Sequence, residues 1–198
     1  NTTVQGHSSW PGDPPGVDAY SRINDMLTDL EDPMIFQTYA EVEFMLAELA
    51  VRNWTTDSAE DHYNAGVRAA MEYLSVYDPG GGADIADADI TNYLNNNPFN
   101  TGGNPDEQLE QINTQYWAAV FLNGIEAYSN WRRSGYPDLE PAPIDDPNPA
   151  PGSDTNGEFI RRLLYPDNEG ILNASNYEEV INRQGPNSMT TRVWWDAQ

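Results

Sequence analysis

The sequence contains neither cysteine nor lysine. Without cysteine, the 198 residues cannot form a disulfide framework or supply a thiol nucleophile. No apolar run approaches the roughly 18 residues that a transmembrane helix needs, so the sequence predicts no membrane span. The length suits one domain with a sizeable hydrophobic core.

Histidine is also scarce, because the chain has only His7 and His62. Two histidines cannot form a three-histidine metal site, and neither Ser129 nor Ser134 has the context of a nucleophile elbow. Asp84, with Asp87 and Asp89 after it, lacks the spacing of an EF-hand loop, so a solvated acidic turn is the favoured interpretation. We therefore expect no catalytic residue, no metal and no cofactor.

The chain is strongly acidic. It carries 32 aspartates and glutamates against nine arginines, which gives a formal net charge of −23 and an isoelectric point near 4.1. Such a charge repels nucleic acid and anionic lipid surfaces, which argues against either as a direct partner. We interpret the acidity as an adaptation to concentrated salt, where counterions screen self-repulsion. A chance compositional bias is the alternative.

Residues 111–137 form the stretch around which the chain is organised. Their helical periodicity gives two apolar stripes, which predicts one long central helix with neighbours on more than one side. Arg132 and Arg133 suit the last turn of a helix, Gly135 suits a left-handed cap, and Pro137 prevents continuation. The first stripe comprises Leu109, Ile112, Tyr116 and Ala119, and the second comprises Trp117, Val120, Gly124, Tyr128 and Trp131.

Two further long helices are predicted before this stretch. Residues 35–52 carry one stripe through Phe44 and Ala47 and another through Tyr39 and Val42, so we expect burial on both sides. Asp57 and Glu60 suggest a capping box for a second helix that ends near residue 77. A short helix is expected at residues 87–95. The first two helices fit a tetratricopeptide frame moderately, through Leu46, Ala47, Ala59, Tyr63 and Gly66.

The flanking segments are poor in regular structure. Residues 1–17 are rich in glycine and proline and are predicted to form a loop that holds Trp10, while residues 18–30 hold at most a short helical piece. Residues 138–157 include five prolines and predict an extended wrapping loop. Phe159 to Leu164 suggest a strand or an extended segment. A last helix is expected at residues 176–183, and Val193, Trp194 and Trp195 are expected to anchor the end.

Four segments, in order, resemble the SusD/RagB family of nutrient-binding lipoproteins. The main one is QINTQYWAAVFLNGIEAYSNWRRSGYPDL at residues 111–139, preceded by QTYAEVEFMLAELA at 37–50. FIRRLLYPDNE at 159–169, with Asn173 and Asn176 after it, and TTRVWWD at 190–196 complete the set. The resemblance covers about residues 20–198.

The resemblance implies an all-α, tetratricopeptide-like helical scaffold with long irregular loops. It also implies a protein roughly twice as long as this chain, so we expect residues 1–198 to be a single C-terminal region. Within it, residues 1–17 would be loop, 18–137 helical scaffold, and 138–198 a wrapping loop and C-terminal segment.

The function implied by the resemblance is non-catalytic capture of glycans or other nutrients. Family membership implies a surface-exposed outer-membrane lipoprotein, anchored through an N-terminal cysteine that this chain lacks. Its partners would be an oligosaccharide or other nutrient and a TonB-dependent, SusC-like transporter, over which it would sit as a lid. Nucleic acid is not expected as a partner.

The motif residues matched to the family are expected to be structural, and the ligand-binding residues cannot be assigned from the sequence. Two other classes stay open: a helical adaptor for a protein partner and, less favoured, a glycoside hydrolase. A hydrolase would need a carboxylic acid of raised pKa facing a second carboxylate, but 32 acidic residues make chance pairs almost certain. The matched motif residues are Trp117, Trp131, Arg132, Arg133, Pro137, Arg161, Arg162, Tyr165 and Trp195.

Overall fold

The computed structural model describes residues 27, 32–78, 80–141 and 154–196. Within these residues it contains α-helices and one 3-10 helix but no β-strand, which confirms the predicted all-α, tetratricopeptide-like class. The chain divides into two compact units, one spanning residues 23–138 and the other comprising residues 1–22 and 139–198. The helices are α1 (Tyr39–Val51), α2 (Ala59–Glu72), the 3-10 helix (Tyr73–Val76), α3 (Asp87–Asn96), α4 (Pro105–Ala119), α5 (Gly124–Ser134), α6 (Glu169–Leu172) and α7 (Ala174–Gln184).

Helix α1 begins at Tyr39, four residues later than predicted. Thr38 forms a capping box with Glu41: the Thr38 hydroxyl accepts a hydrogen bond from the Glu41 amide at 3.1 Å, and the Thr38 amide donates to the Glu41 carboxylate at 2.8 Å. The predicted second stripe is wrong in its first turns, because Tyr39 and Val42 are exposed. The apolar pattern continues on the N-terminal side of the Thr38 cap, so the pattern alone did not show where α1 starts.

Helices α1 and α2 pack closely against each other. Gly66 of α2 allows the approach, since a Cβ atom there would lie 2.8 Å from Cε1 of Phe44 in α1. The cap of α2 is Ser58 and not Asp57, because the Ser58 hydroxyl accepts the Asp61 amide at 3.2 Å. The glycine and the buried Tyr63 thus occupy their predicted places in the helix pair.

An aromatic cluster forms the centre of the helical unit. Phe44 lies 6.4 Å from Tyr63 and 6.2 Å from Tyr116 between ring centroids, and Tyr63 lies 5.3 Å from Phe99. The tilted and edge-on arrangements are those that aromatic pairs prefer. The predicted first stripe of the central segment packs into the same core: Leu109, Ile112, Tyr116 and Ala119 are all buried.

The predicted long central helix is two helices, and this prediction was wrong. Helix α4 ends at Ala119, Leu122 adopts a left-handed φ of 74°, and Asn123 caps α5 by accepting the Glu126 amide at 3.3 Å. Left-handed backbone is uncommon for leucine and stops a helix. The second stripe therefore does not form one buried face: Val120 and Trp131 are buried, whereas Trp117 is 42% exposed and Tyr128 37% exposed.

The end of α5 is as predicted. Arg132 and Arg133 lie in its last turn, and Gly135 takes the left-handed conformation with φ 81° while its amide donates to the Trp131 carbonyl at 2.8 Å. A cis peptide bond then joins Tyr136 to Pro137.

Among the described residues, no helix has both the length and the apolar character that crossing a bilayer requires.

The second unit contains α6 and α7 together with irregular backbone. Residues 159–164 form neither a strand nor a helix, and the Arg161 amide donates to the Met189 carbonyl at 2.7 Å. Helix α7 exceeds the predicted last helix at both ends. Trp194 is 91% exposed, so the expectation that it anchors the chain end by burial is wrong.

Several predictions fall outside the described residues. They are the N-terminal loop with His7 and Trp10, most of the short helical piece before residue 31, and the greater part of the proline-rich wrapping loop.

Candidate functional site

A network of polar side chains joins α1, α4 and α5 around Glu48. The two terminal nitrogens of Arg133 donate to the two Glu48 oxygens at 2.6 and 2.8 Å, and Nε of Arg52 donates to Oε1 at 2.8 Å. Burial of Glu48 opposes its ionisation, but the hydrogen bonds and charges of Arg133 and Arg52 outweigh it and hold the pKa of Glu48 below its usual value. The carboxylate is therefore ionised and paired.

Two buried amides extend this network. Arg133 donates to Oδ1 of Asn130 at 2.6 Å, Asn130 donates to Oδ1 of Asn113 at 3.0 Å, and Asn113 donates to the Leu109 carbonyl at 2.9 Å. Both asparagines are buried and their amide groups are used within the protein. This arrangement orients the three helices and leaves little capacity for a ligand.

Four of the motif residues from the first unit lie in the last turns of α5 or just after it. Trp131 is buried and stacks on Tyr128, with ring centroids 6.5 Å apart and an interplanar angle of 19°. The Arg132 guanidinium lies 4.4 Å from the Tyr128 ring centroid, a cation–π distance. Arg133 pairs with Glu48, and Pro137 follows the capped end of α5. Trp117 is the exception, since it is exposed on α4.

The other motif residues lie in the second unit. Arg161 and Arg192 donate to Oδ1 of the buried Asp196 at 3.5 and 2.7 Å. Arg162 is buried, and its guanidinium lies 4.4 Å from the centroid of the Tyr165 ring. Trp195 is 38% exposed. A structural role for the nine motif residues stays a prediction.

His62 and Glu43 form a separate pair. Nδ1 of His62 lies 2.6 Å from Oε2 of Glu43, and the histidine, on α2, is partly exposed. Burial opposes ionisation of Glu43, but hydrogen bonds from Tyr39 and His62 lower its pKa. Over the described ranges, no three histidine, aspartate or glutamate side chains are arranged to hold a metal ion.

An open groove of about 490 Å³ lies between α2 and α3. Its volume falls within the roughly 300–1,000 Å³ typical of small-molecule sites. The polar residues that line it are four positions apart on each helix. They are Glu60, Asn64 and Arg68 on α2, and Thr91 and Asn95 on α3. That spacing places each set on one helical face. Ala65, Leu94 and Pro98 complete the lining.

Arg68 is fixed in this groove by contacts that cross from α2 to α3. Its Nη1 donates to Asp87, at the start of α3, and to Glu72 at 3.3 Å, and its Nη2 lies 3.5 Å from the Thr91 hydroxyl. These hydrogen bonds raise the pKa of Arg68, with that to Asp87 contributing most. The guanidinium thus links α2 to α3 through contacts that are largely exposed to solvent.

Sequence reasoning did not single out the groove residues. The repeat of polar side chains four residues apart was a signal, but the same pattern describes any solvated helix face. Only the packing of α2 on α3 brings the two faces together.

Comparison with protein-family models identifies residues 5–166 as matching the SusD-like model described as "Starch-binding associating with outer membrane". The chain belongs to the SusD-like family. The match spans most of the sequence and includes α1 to α5, the Glu48 network and the α2–α3 groove. The comparison with curated proteins gave no match.

Solved structures of SusD-like proteins resemble this chain along most of its length. A chitin-binding protein shares 40% identity at a TM-score of 0.77, with 92% of this chain and 38% of that protein covered. A SusD-like protein from Bacteroidetes shares 37% identity at a TM-score of 0.77, covering 88% and 33%. A chitin-binding SusD homologue from Flavobacterium johnsoniae shares 26% identity at a TM-score of 0.61, covering 80% and 36%. The chain thus spans about a third of the length of these three relatives.

Proposed function

We propose that this SusD-like chain belongs to a non-catalytic binding protein of the cell surface that captures glycans or other nutrients. The match to a starch-binding family description over residues 5–166 carries this proposal. Two of the related structures support it, since each is described as chitin-binding. The captured ligand would pass to a TonB-dependent, SusC-like transporter of the outer membrane, with the protein held at the surface by a lipid anchor.

The physical character of the chain is compatible with capture. Aromatic side chains suited to stacking on sugar rings are exposed in both units, including Trp54, Trp117 and Trp194. The Arg133–Glu48 ion pair and the buried amides beside it hold the scaffold helices in a fixed arrangement, which limits the ordering cost of binding. A capture protein needs affinity for its ligand and does not need a reacting group.

Two other functions make different predictions. A helical adaptor would use the scaffold to bind a protein partner and would bind no sugar. A glycoside hydrolase would need two carboxyl groups facing each other across a cleft, one of them with a raised pKa. Glu43 and Glu48, two of the buried carboxylates, both have lowered pKa values, which does not suit a general acid.

A paired binding and product assay tests the proposal. Calorimetry with a panel of soluble starch and chitin oligosaccharides measures binding, and chromatography of the same mixtures after long incubation measures cleavage. We expect binding of at least one oligosaccharide without any shortened product. Release of shorter sugars would refute non-catalytic capture, and binding of a soluble protein with no sugar binding would favour the adaptor.

The transporter partnership needs a separate experiment in the native host. Affinity purification of the tagged native protein from detergent-solubilised envelopes should recover a TonB-dependent barrel protein. Recovery of the tagged protein only in the aqueous fraction, without a barrel protein, would contradict both the partnership and the outer-membrane location.

A further inference from the structure

The α2–α3 groove contains polar side chains with unused hydrogen-bonding capacity. Glu60, Asn64 and Asn95 line it, and no hydrogen bond found among the described residues involves their side chains. One carboxylate supplies acceptors only, whereas each asparagine amide supplies two donors and an acceptor oxygen. Donors and acceptors that line one groove suit the hydroxyl groups of a sugar, each of which both donates and accepts.

The rest of the lining gives the groove an amphipathic character. Ala65, Leu94 and Pro98 contribute apolar surface between the polar residues. A pyranose ring is likewise amphipathic, because its C–H groups form apolar faces while its hydroxyls project from the edge. The combination favours a sugar over a purely apolar ligand, since a few placed polar groups fix orientation within an apolar lining.

The local charge limits which sugar can bind. Around the groove, the carboxylates of Glu60, Glu72 and Asp87 outnumber the single guanidinium of Arg68, which already pairs with the last two. The whole chain, with these groups included, carries a net charge of −23. A phosphorylated, sulfated or uronic-acid sugar would therefore meet repulsion, whereas a neutral sugar would not.

A contact between Arg68 and Thr91 crosses the groove from α2 to α3. The Thr91 hydroxyl lies 3.5 Å from Nη2 of Arg68, while Asp87 and Glu72 take Nη1.

We propose that the groove between α2 and α3, lined by Glu60, Asn64, Arg68, Thr91 and Asn95, binds a short stretch of a neutral saccharide. This inference rests on the glycan-binding function proposed above and assigns that function a location. Asn64 and Asn95 face the ligand from opposite helices and donate to its hydroxyls, and Glu60 accepts from them.

The test is an NMR titration of the 198-residue chain. Amide spectra are followed during addition of the tetramer of N-acetylglucosamine, the α-1,4-linked tetramer of glucose, and an anionic tetramer of galacturonic acid. We expect a neutral tetramer to shift the amide signals of Asn64, Thr91 and Asn95. The anionic tetramer should bind at least about tenfold more weakly.

Variants then assign the binding to the groove. The double substitution Asn64→Ala and Asn95→Ala should weaken binding at least about tenfold, while both changes favour helix formation and so keep the chain folded. Asn92→Ala is the matched control, because Asn92 lies on the same helix as Asn95 but does not line the groove. It should leave affinity unchanged.

The outcomes separate the two proposals. Binding of a neutral tetramer that shifts signals elsewhere and survives the double substitution would overturn the groove assignment and leave glycan capture standing. Tighter binding of the anionic tetramer would overturn the neutral specificity. A folded chain that binds none of the three tetramers would overturn the groove and count against glycan capture by this chain.

Discussion

Arg133 and Glu48 form a bidentate ion pair between the end of α5 and the last turns of α1, although 85 residues separate them in sequence. The Glu48 carboxylate is buried, whereas the Arg133 side chain is 44% exposed. The pair therefore lies at the edge of the core, with the carboxylate buried and part of the arginine side chain in contact with solvent. It joins the first and last helices of the helical unit.

This pair predicts a pH-dependent contribution to stability. Since the pKa of Glu48 is lowered in the folded protein, its stabilisation is fully present above the unfolded value near 4.5 and is lost as the pH falls through the folded value. Glu48→Gln should reduce the free energy of unfolding by about 1–2 kcal/mol at pH 7, because hydrogen bonds to a charged group are lost and the exposed arginine is partly resolvated. Urea denaturation from pH 7 to pH 3 measures the difference between the two proteins.

The difference itself is the informative quantity, because the other carboxylates also titrate over this range. It should shrink below pH 4.5, when Glu48 of the parent protein becomes protonated. Glu178→Gln, an exposed change on α7, serves as the control and should show little difference at any pH. A Glu48→Gln deficit that stays constant down to pH 3 would mean that the ionised pair is not its source.

The contact between Gly66 and Phe44 predicts opposite outcomes for two glycine-to-alanine changes. A Cβ at position 66 would lie 2.8–3.0 Å from three atoms of the buried Phe44 ring, which cannot move freely in the core. Gly66→Ala should therefore destabilise the protein by about 1–2 kcal/mol, since overpacking exceeds the gain in helix propensity. Denaturant unfolding monitored by circular dichroism measures the change.

Gly124→Ala is the matched control. Gly124 begins α5, and a Cβ there would meet no atom within 4 Å. This substitution should be neutral or stabilising by up to about 1 kcal/mol, because it restricts only the unfolded chain. Equal losses at both positions would show that close helix packing is not what requires Gly66.

Trp131 and Trp194 both lie in segments that resemble the family, but they differ in burial. We therefore expect their substitution to affect stability differently. Trp131 is 7% exposed and stacks on Tyr128, so Trp131→Ala should cost roughly 3–5 kcal/mol of unfolding free energy. Trp194 is 91% exposed, and Trp194→Ala should change stability by less than about 0.5 kcal/mol. A loss below about 1 kcal/mol for Trp131→Ala in denaturant melts would contradict its place in the core.

Local signals in the sequence predicted the features that depend on neighbouring residues. The end of α5 followed from Arg132, Arg133 and Gly135, since cap chemistry acts within one turn. The buried face of α4 followed from the spacing of Ile112 and Tyr116, which is a property of one helix.

Features that depend on distant residues were not predicted. The break at Leu122 was missed because the apolar spacing of the second stripe continues across it, and Asn123 acts as a cap only once the chain has turned. The α2–α3 groove was missed because Asn64 and Asn95 become neighbours only through helix packing. The same holds for Glu48, whose buried charge is compensated by Arg133 from another helix in addition to its neighbour Arg52.

The last prediction concerns the acidity of the chain, which we propose is an adaptation to concentrated salt. Nine arginines can pair with only some of the 32 carboxylates, so the remaining charges repel one another in the folded state. The Debye length falls from about 10 Å at 0.1 M salt to about 3 Å at 1 M, which screens this repulsion. Thermal midpoints should therefore rise from 0.1 to 1 M in both sodium and potassium chloride. The few exposed ion pairs weaken over the same range, but they are outnumbered by the repelling pairs. A midpoint that stays flat or falls in both salts would leave compositional bias as the explanation of the acidity.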